Sequence, residues 1–70
     1  MKRLATTNDI KVEAKLKTVN DNQAFEIRAI VVDSMYVCRT WLTHKKRWYY
    51  FVEHYSFFEV NIEFNNLYVR

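Results

Sequence analysis

The chain contains no glycine and no proline in 70 residues. Average globular usage would supply about 7% of the first and 5% of the second. Glycine-rich phosphate cradles are excluded outright, because both the Walker and the dinucleotide loops need glycine for close backbone approach. A strained glycine-flanked nucleophile turn is excluded with them. There is one cysteine, Cys38, so no internal disulfide can form, which suits a reducing compartment. The longest unbroken apolar run is WYYFV, residues 48–52, far short of the ~20 residues of a membrane helix. The basic start MKRLATTNDIKVEAK has no apolar segment behind it and is not a secretory signal. The expectation is a soluble, cytoplasmic protein with no membrane partner.

What is present is aromatic. Twelve of the 70 residues are Phe, Tyr or Trp, half the chain is hydrophobic, and the net charge is +3. Disorder is therefore not expected. A chain this short buries only about 60% of its unfolded surface, and without disulfides it depends on large side chains or self-association. Residues 1–70 read as a single domain, with residues 1–8 as a candidate flexible lead. The abundance of Asn, Lys, Tyr, Phe and Ile resembles AT-rich coding, as in a virus or mobile element.

Alternation dominates the pattern. Ile10, Val12, Ala14 and Leu16 alternate with Lys11, Glu13, Lys15 and Lys17, a half-buried strand with one basic face. Asn20-Asp21-Asn22 supplies the turn, since Asn and Asp best tolerate left-handed backbone where glycine is missing. AFEIRAIVV follows as a second strand, with Phe25, Ile27, Ala29 and Val31 on one face, and Asp33-Ser34 marks a bend or bulge. MYVCRTWL is a third strand, THKKR a hairpin tip, and RWYYFVEHYSFF a fourth strand. Phe58, Val60, Ile62 and Phe64 alternate with Glu59, Asn61, Glu63 and Asn65 as a last strand, and LYVR adds a short final piece. The fold expected is all-β, a small antiparallel meander or barrel of four to five strands. The alternative is α+β, with two strands, a helix somewhere in residues 34–58, then a strand, because Trp41, Lys45, Trp48, Val52, Tyr55 and Glu59 recur at helical spacing. The many Tyr, Phe, Trp, Val and Thr in that segment favour strands.

Charge is uneven. Residues 34–52 carry Arg39, Lys45, Lys46 and Arg47 with no acid; residues 48–66 carry Glu53, Glu59 and Glu63 with no Lys or Arg. Cross-strand pairing would set Lys11, Lys15 and Lys17 beside Glu59 and Glu63. Cys38, His44, His54 and Glu53 match no closed zinc spacing, and Cys38 among apolar neighbours is no activated nucleophile. No metal, cofactor or enzymatic activity is expected.

The distinctive stretch is THKKRWYYF, residues 43–51, three cations against four aromatics. Along it Trp48, Tyr50 and Val52 share one strand face, while Tyr49 and Phe51 share the other with Glu53. A charged residue rarely sits in a small core, so Trp48, Tyr50 and Val52 are expected inside, with Trp41 across the hairpin from Trp48. Tyr49 and Phe51 are then surface residues. Together with Arg39, Lys45, Lys46 and Arg47 they form the expected partner-binding surface of a small non-enzymatic protein-interaction module. Its partner would be a larger protein that it inhibits or regulates, or a second copy in a homodimer. The alternative is single-stranded nucleic-acid binding, with Lys45, Lys46 and Arg47 on phosphates and neighbouring aromatics stacked on bases.

Overall fold

The computed structural model describes residues 3–20, 23–31 and 34–70. Six strands form one antiparallel sheet: β1 (Arg3–Leu4), β2 (Lys15–Thr18), β3 (Ala24–Val31), β4 (Met35–Leu42), β5 (Arg47–His54) and β6 (Leu67–Val69). A 3-10 turn over Thr7–Asp9 and one helix, α1 (Tyr55–Glu63), complete the chain. The strand order is β1-β6-β2-β3-β4-β5. β2 to β5 are thus the expected meander, and the short final piece inserts between β1 and β2 rather than adding to an edge. The antiparallel β domain forms as an open sheet, with more strands than the four or five expected. Met35–Leu42 and Arg47–His54 are strands joined by a turn, so of the helix considered for 34–58 only the last residues, from Tyr55 on, are helical. Asp21, Asn22, Val32 and Asp33, named in the expected turns and strands, lie outside the described residues.

Three local expectations are corrected. The first strand is short, because Thr7–Asp9 coils and Glu13 turns through φ 74° before β2 begins at Lys15. Ile10 is still buried, but Val12 is exposed. The second concerns the single face expected for Phe25, Ile27, Ala29 and Val31, which a bulge interrupts. The bulge falls between Ile27 and Ala29, where one extra residue shifts the β3–β4 register. Phe25 and Ile27 therefore point into the core, while Ala29 pairs with Val37 on the opposite face. The third concerns residues 55–63, which are helical. His54 caps the helix, its Nδ1 accepting from the Ser56 N–H at 3.1 Å. Tyr55, Phe58 and Ile62 then line one helical face, whereas Val60 and Phe64, alternate in a strand, are exposed. Glu59 and Glu63 lie exposed on the helix, so they do not pair with the β2 lysines; Lys15 sits across from Glu26 instead.

The core lies between one face of the sheet and α1. Leu16, Phe25, Ile27, Tyr36, Cys38, Phe58 and Leu67 are buried there, with Ala5 and Ile10 closing the end near the 3-10 turn. Phe58 is the hub, its ring 5.2 Å from Tyr36 and 6.3 Å from Phe25. Cys38 is fully buried, and burial, helped by the charge of Glu53, pushes its thiol up to about 12. It is a core side chain rather than a nucleophile.

Without glycine, left-handed backbone falls on other residues. Glu13, Ser34, Lys46 and Asn65 all have positive φ. At Asn65 this closes α1: the Asn65 N–H donates to the Ile62 carbonyl at 3.0 Å and the Asn66 N–H to that of Asn61 at 2.8 Å. Asn66 then ties the helix end to the β2–β3 connection. Its Oδ1 accepts from the Val19 and Asn20 N–H groups at 3.1 and 2.8 Å, and its Nδ2 donates to Asn61 Oδ1 at 2.7 Å. Asn66→Ala should cost about 0.5–1.5 kcal/mol, because the Asn20 N–H and Asn61 Oδ1 lose their partner while the Val19 N–H keeps the Asn66 backbone carbonyl at 3.0 Å. Urea midpoints of the two proteins measure this. A change below about 0.5 kcal/mol would mean that water replaces the amide at no cost.

Candidate binding face

The side chains of the sheet alternate between the face under α1 and an open face. Cross-strand register sorts them without ambiguity. Met35 lies opposite His54, Val37 opposite Val52, Arg39 opposite Tyr50 and Trp41 opposite Trp48, all on the open face. Tyr36 opposite Glu53, Cys38 opposite Phe51 and Thr40 opposite Tyr49 share the helix-side face. The division of the aromatic strand into two sets is as the alternation requires, but Trp48, Tyr50 and Val52 lie outside and Phe51 turns toward the core, while Tyr49 on the same side as Phe51 is exposed as expected. Phe51 is half-buried, its ring 6.1 Å from Phe25, whereas Trp48, Tyr50 and Val52 are 37%, 55% and 53% exposed.

The physical reason lies at the end of β5. Glu53 occupies the helix-side face at the rim of the core, and burial pushes its carboxyl above the ordinary carboxylate value. Its neighbour His54 is exposed and spends its ring nitrogen on capping α1. A charged residue at a rim with partial water access costs less than one in the centre, so the polarity of Glu53 was a misleading guide.

The open face is built around Arg39. Its guanidinium carbon stands 3.7 Å from the centre of the Trp48 ring. Nε donates to Glu26 Oε1 at 2.9 Å, and Nη1 donates to the Tyr50 hydroxyl at 3.4 Å. Trp41 meets Trp48 edge to face with ring centres 5.2 Å apart, the cross-strand contact expected of this hairpin. A depression of about 570 Å³ opens beside the pair, lined by Trp41, Trp48, Glu26, Thr40 and Arg70 among others. Lys15, opposite Glu26, and Lys17, opposite Tyr68, continue the face across β2.

Burial alone would push the Glu26 carboxyl up. The Arg39 hydrogen bond and charge, with Lys15 and Arg28 adding, outweigh that and hold it below its ordinary value. A carboxylate depressed by folding stabilises the fold above its unfolded pKa, and that stability is lost as pH falls through the folded value. Asp9 acts in the same direction, held well below the usual range by its hydrogen bond to Arg3 and those from Thr6. Glu53 acts oppositely, its raised pKa making protonation a relief. Glu26→Gln should therefore lower stability at pH 7 and close the gap to the wild type as pH drops below about 4. Urea unfolding at pH 7 and near pH 2 tests this. An equal gap at both values would show that Glu26 contributes shape rather than charge.

The residues expected to bind a partner do not form one surface. Arg39 is on the open face; Arg47, Tyr49 and Phe51 are on the helix side of β5. Lys45 and Lys46 are in the exposed turn at the hairpin tip, where Lys46 has φ 53°. Of the open-face residues, Trp41, Val52 and Glu26 were passed over as sites, and Trp48 and Tyr50 entered only as the base-stacking aromatics of the nucleic-acid alternative. The signal that would have found them is the Trp41–Trp48 spacing about a four-residue turn, which places both rings on one face whichever face is buried. Among the described residues no group of three or more His, Cys, Asp or Glu could hold a metal, and no helix is long and apolar enough to cross a membrane. Comparison with protein-family models, curated proteins and solved structures finds no match to this chain.

Proposed function

We propose that the chain is a small non-enzymatic protein-interaction module and that the open face of its sheet is the contact surface. The observation that carries this is the exposure of Trp41, Trp48, Tyr50 and Val52 side by side around Arg39 on that face, rimmed by Glu26 and Lys15. Contiguous exposed aromatics with one Arg at their centre are the composition of an interface core. The β4–β5 hairpin is also rigid, because paired tryptophans and the Arg39 network hold its side chains before any partner arrives. That lowers the ordering cost of binding. The partner is a larger protein that the module inhibits or regulates, or a second copy. The single buried cysteine suits the cytoplasm, and the glycine-free, Asn- and Lys-rich composition suits a viral or mobile-element origin.

A second reading, single-stranded nucleic acid, is favoured by one observation: Lys15 and Lys17 share the aromatic face, and Lys45, Lys46 and Arg47 stand at its end. Against it, the Arg39 guanidinium already occupies a face of Trp48 and its charge is engaged by Glu26. A base would have to displace both. Affinity capture from the native host with and without nuclease, read by mass spectrometry, separates the two. Recovery of one protein regardless of nuclease supports the first reading; recovery only with nucleic acid intact overturns it.

A further inference from the structure

The two edges of the sheet are unlike. β1 is two residues long and carries Arg3, a blunted edge of the kind that resists pairing. β5 is eight residues long and pairs with β4 without register shift. It contains no proline and no lysine, and its only charges are Arg47 at one end and Glu53 near the other. The direction of its backbone groups follows from the register. Ser34 and Tyr55 continue the β4–β5 pairing, and the Tyr55 N–H donates to the Ser34 carbonyl at 2.9 Å. Antiparallel residues alternate between bonding inward and outward. Residues 53, 51, 49 and 47 are therefore turned toward β4, and the N–H and C=O groups of Trp48, Tyr50 and Val52 point out from the sheet.

We infer that β5 pairs antiparallel with β5 of a second copy about a two-fold axis at Tyr50, Arg47 of each chain facing the partner's Glu53. In that register Trp48 exchanges backbone bonds with the partner's Val52, and Tyr50 with the partner's Tyr50. Tyr49 and Phe51 become close non-bonded neighbours of the partner's Phe51 and Tyr49 on the helix side. Sliding by two residues keeps the bonding parity but in one direction sets Glu53 opposite Tyr49, and in the other opposite Lys45, which lies beyond the end of β5 in the hairpin turn; only the register centred on Tyr50 pairs both charges within the strands. Both charges lie on the helix-side face, as face-to-face pairing demands. Among the described residues neither has an ion-pair partner in the single chain. The partner's Arg47 would meet a Glu53 carboxylate whose burial is otherwise uncompensated. The pairing joins two sheets into one and brings the open-face aromatics of both copies together at its centre.

This rests on the reading above only in treating the chain as a protein-binding module, and its test is separate from partner capture. Sedimentation of the purified chain across a concentration series should show a monomer–dimer equilibrium. Arg47→Glu should weaken it about tenfold, since two cross-strand attractions become repulsions. Arg47→Glu with Glu53→Arg in the same chain should recover it. Independently, Tyr50→Cys should cross-link to itself under mild oxidation, because directly paired residues have Cα atoms about 5.5 Å apart, within disulfide range. Trp48→Cys should not, as it lies roughly 13 Å along the strand from its own copy. A wild type that stays monomeric at every concentration overturns the inference while leaving heterologous capture intact. So does a dimer indifferent to the charge swap, or one in which Trp48→Cys cross-links better than Tyr50→Cys.

Discussion

Phe58→Ala should unfold the domain, while Trp48→Ala should leave it folded. Phe58 is the largest fully buried side chain, and its ring meets Phe25, Tyr36 and Phe57 at centroid distances between 5.2 and 6.3 Å. Removing a core Phe costs about 3–5 kcal/mol, from lost transfer energy and a cavity the neighbours cannot fill. A 70-residue chain at about 0.05–0.15 kcal/mol per residue has roughly 4–10 kcal/mol in total, so the loss takes most of it. There is a second reason to expect a large effect. Phe58 is the only α1 residue that is fully buried, and a nine-residue helix has little stability of its own. Without its anchor α1 detaches and exposes Tyr36 and Phe25. Trp48→Ala removes the edge-to-face partner of Trp41 and part of a half-wet side chain, about 1–2 kcal/mol. Circular dichroism melts of both variants decide the matter. If Trp48→Ala melts first, the sheet carries its core on the face opposite to the one described.

That contrast also measures how much of the molecule was legible in its sequence. The β3, β4 and β5 strands and the THKKR turn were readable because β-branched and aromatic residues crowd a segment with an obvious polar tip. The two-set division of residues 48–52 was readable because strand periodicity is 2 whatever the environment. Which set faces inward was not readable from the strand alone. It depends on α1, which lies over one face and could have lain over neither. The helix was hidden by coincidence, since Phe58 and Ile62 are two members of both the strand alternation and the helical i, i+4 row. Its start signal was present at His54 and Ser56, but histidine is an unusual cap and the preceding strand runs into it without a break. The position of β6 was hidden for a different reason. No local pattern tells a three-residue strand that it will lie between elements more than forty residues earlier in the chain.

The largest expected effect on function belongs to Trp48 and Tyr50 together. Trp48 is 37% and Tyr50 55% exposed, each contacts Arg39, and neither is needed to cover Phe58. Interface hot spots cost about 2 kcal/mol or more on truncation, about thirtyfold in affinity, and they sit at the centre of a patch rather than at its rim. Trp48→Ala with Tyr50→Ala should therefore reduce recovery of the captured partner by roughly a hundredfold or more while the protein remains folded. Lys45→Ser with Lys46→Ser, at the solvated tip, should leave recovery within a few-fold of the wild type, since rim charges act mainly on the rate of encounter. The nucleic-acid reading reverses this order. There the lysines set the salt dependence, and each lost phosphate contact lowers the slope of log affinity against log salt by about one unit. Pull-down of both double variants in parallel, with affinity to a short single-stranded oligonucleotide followed across salt concentrations, gives opposite rankings under the two readings. Undiminished capture of the same protein by the Trp48 and Tyr50 double variant would move the contact surface off the open face. The exposed Val60 and Phe64 on α1 are then another apolar surface of comparable exposure, as is Tyr49 on the other face of β5.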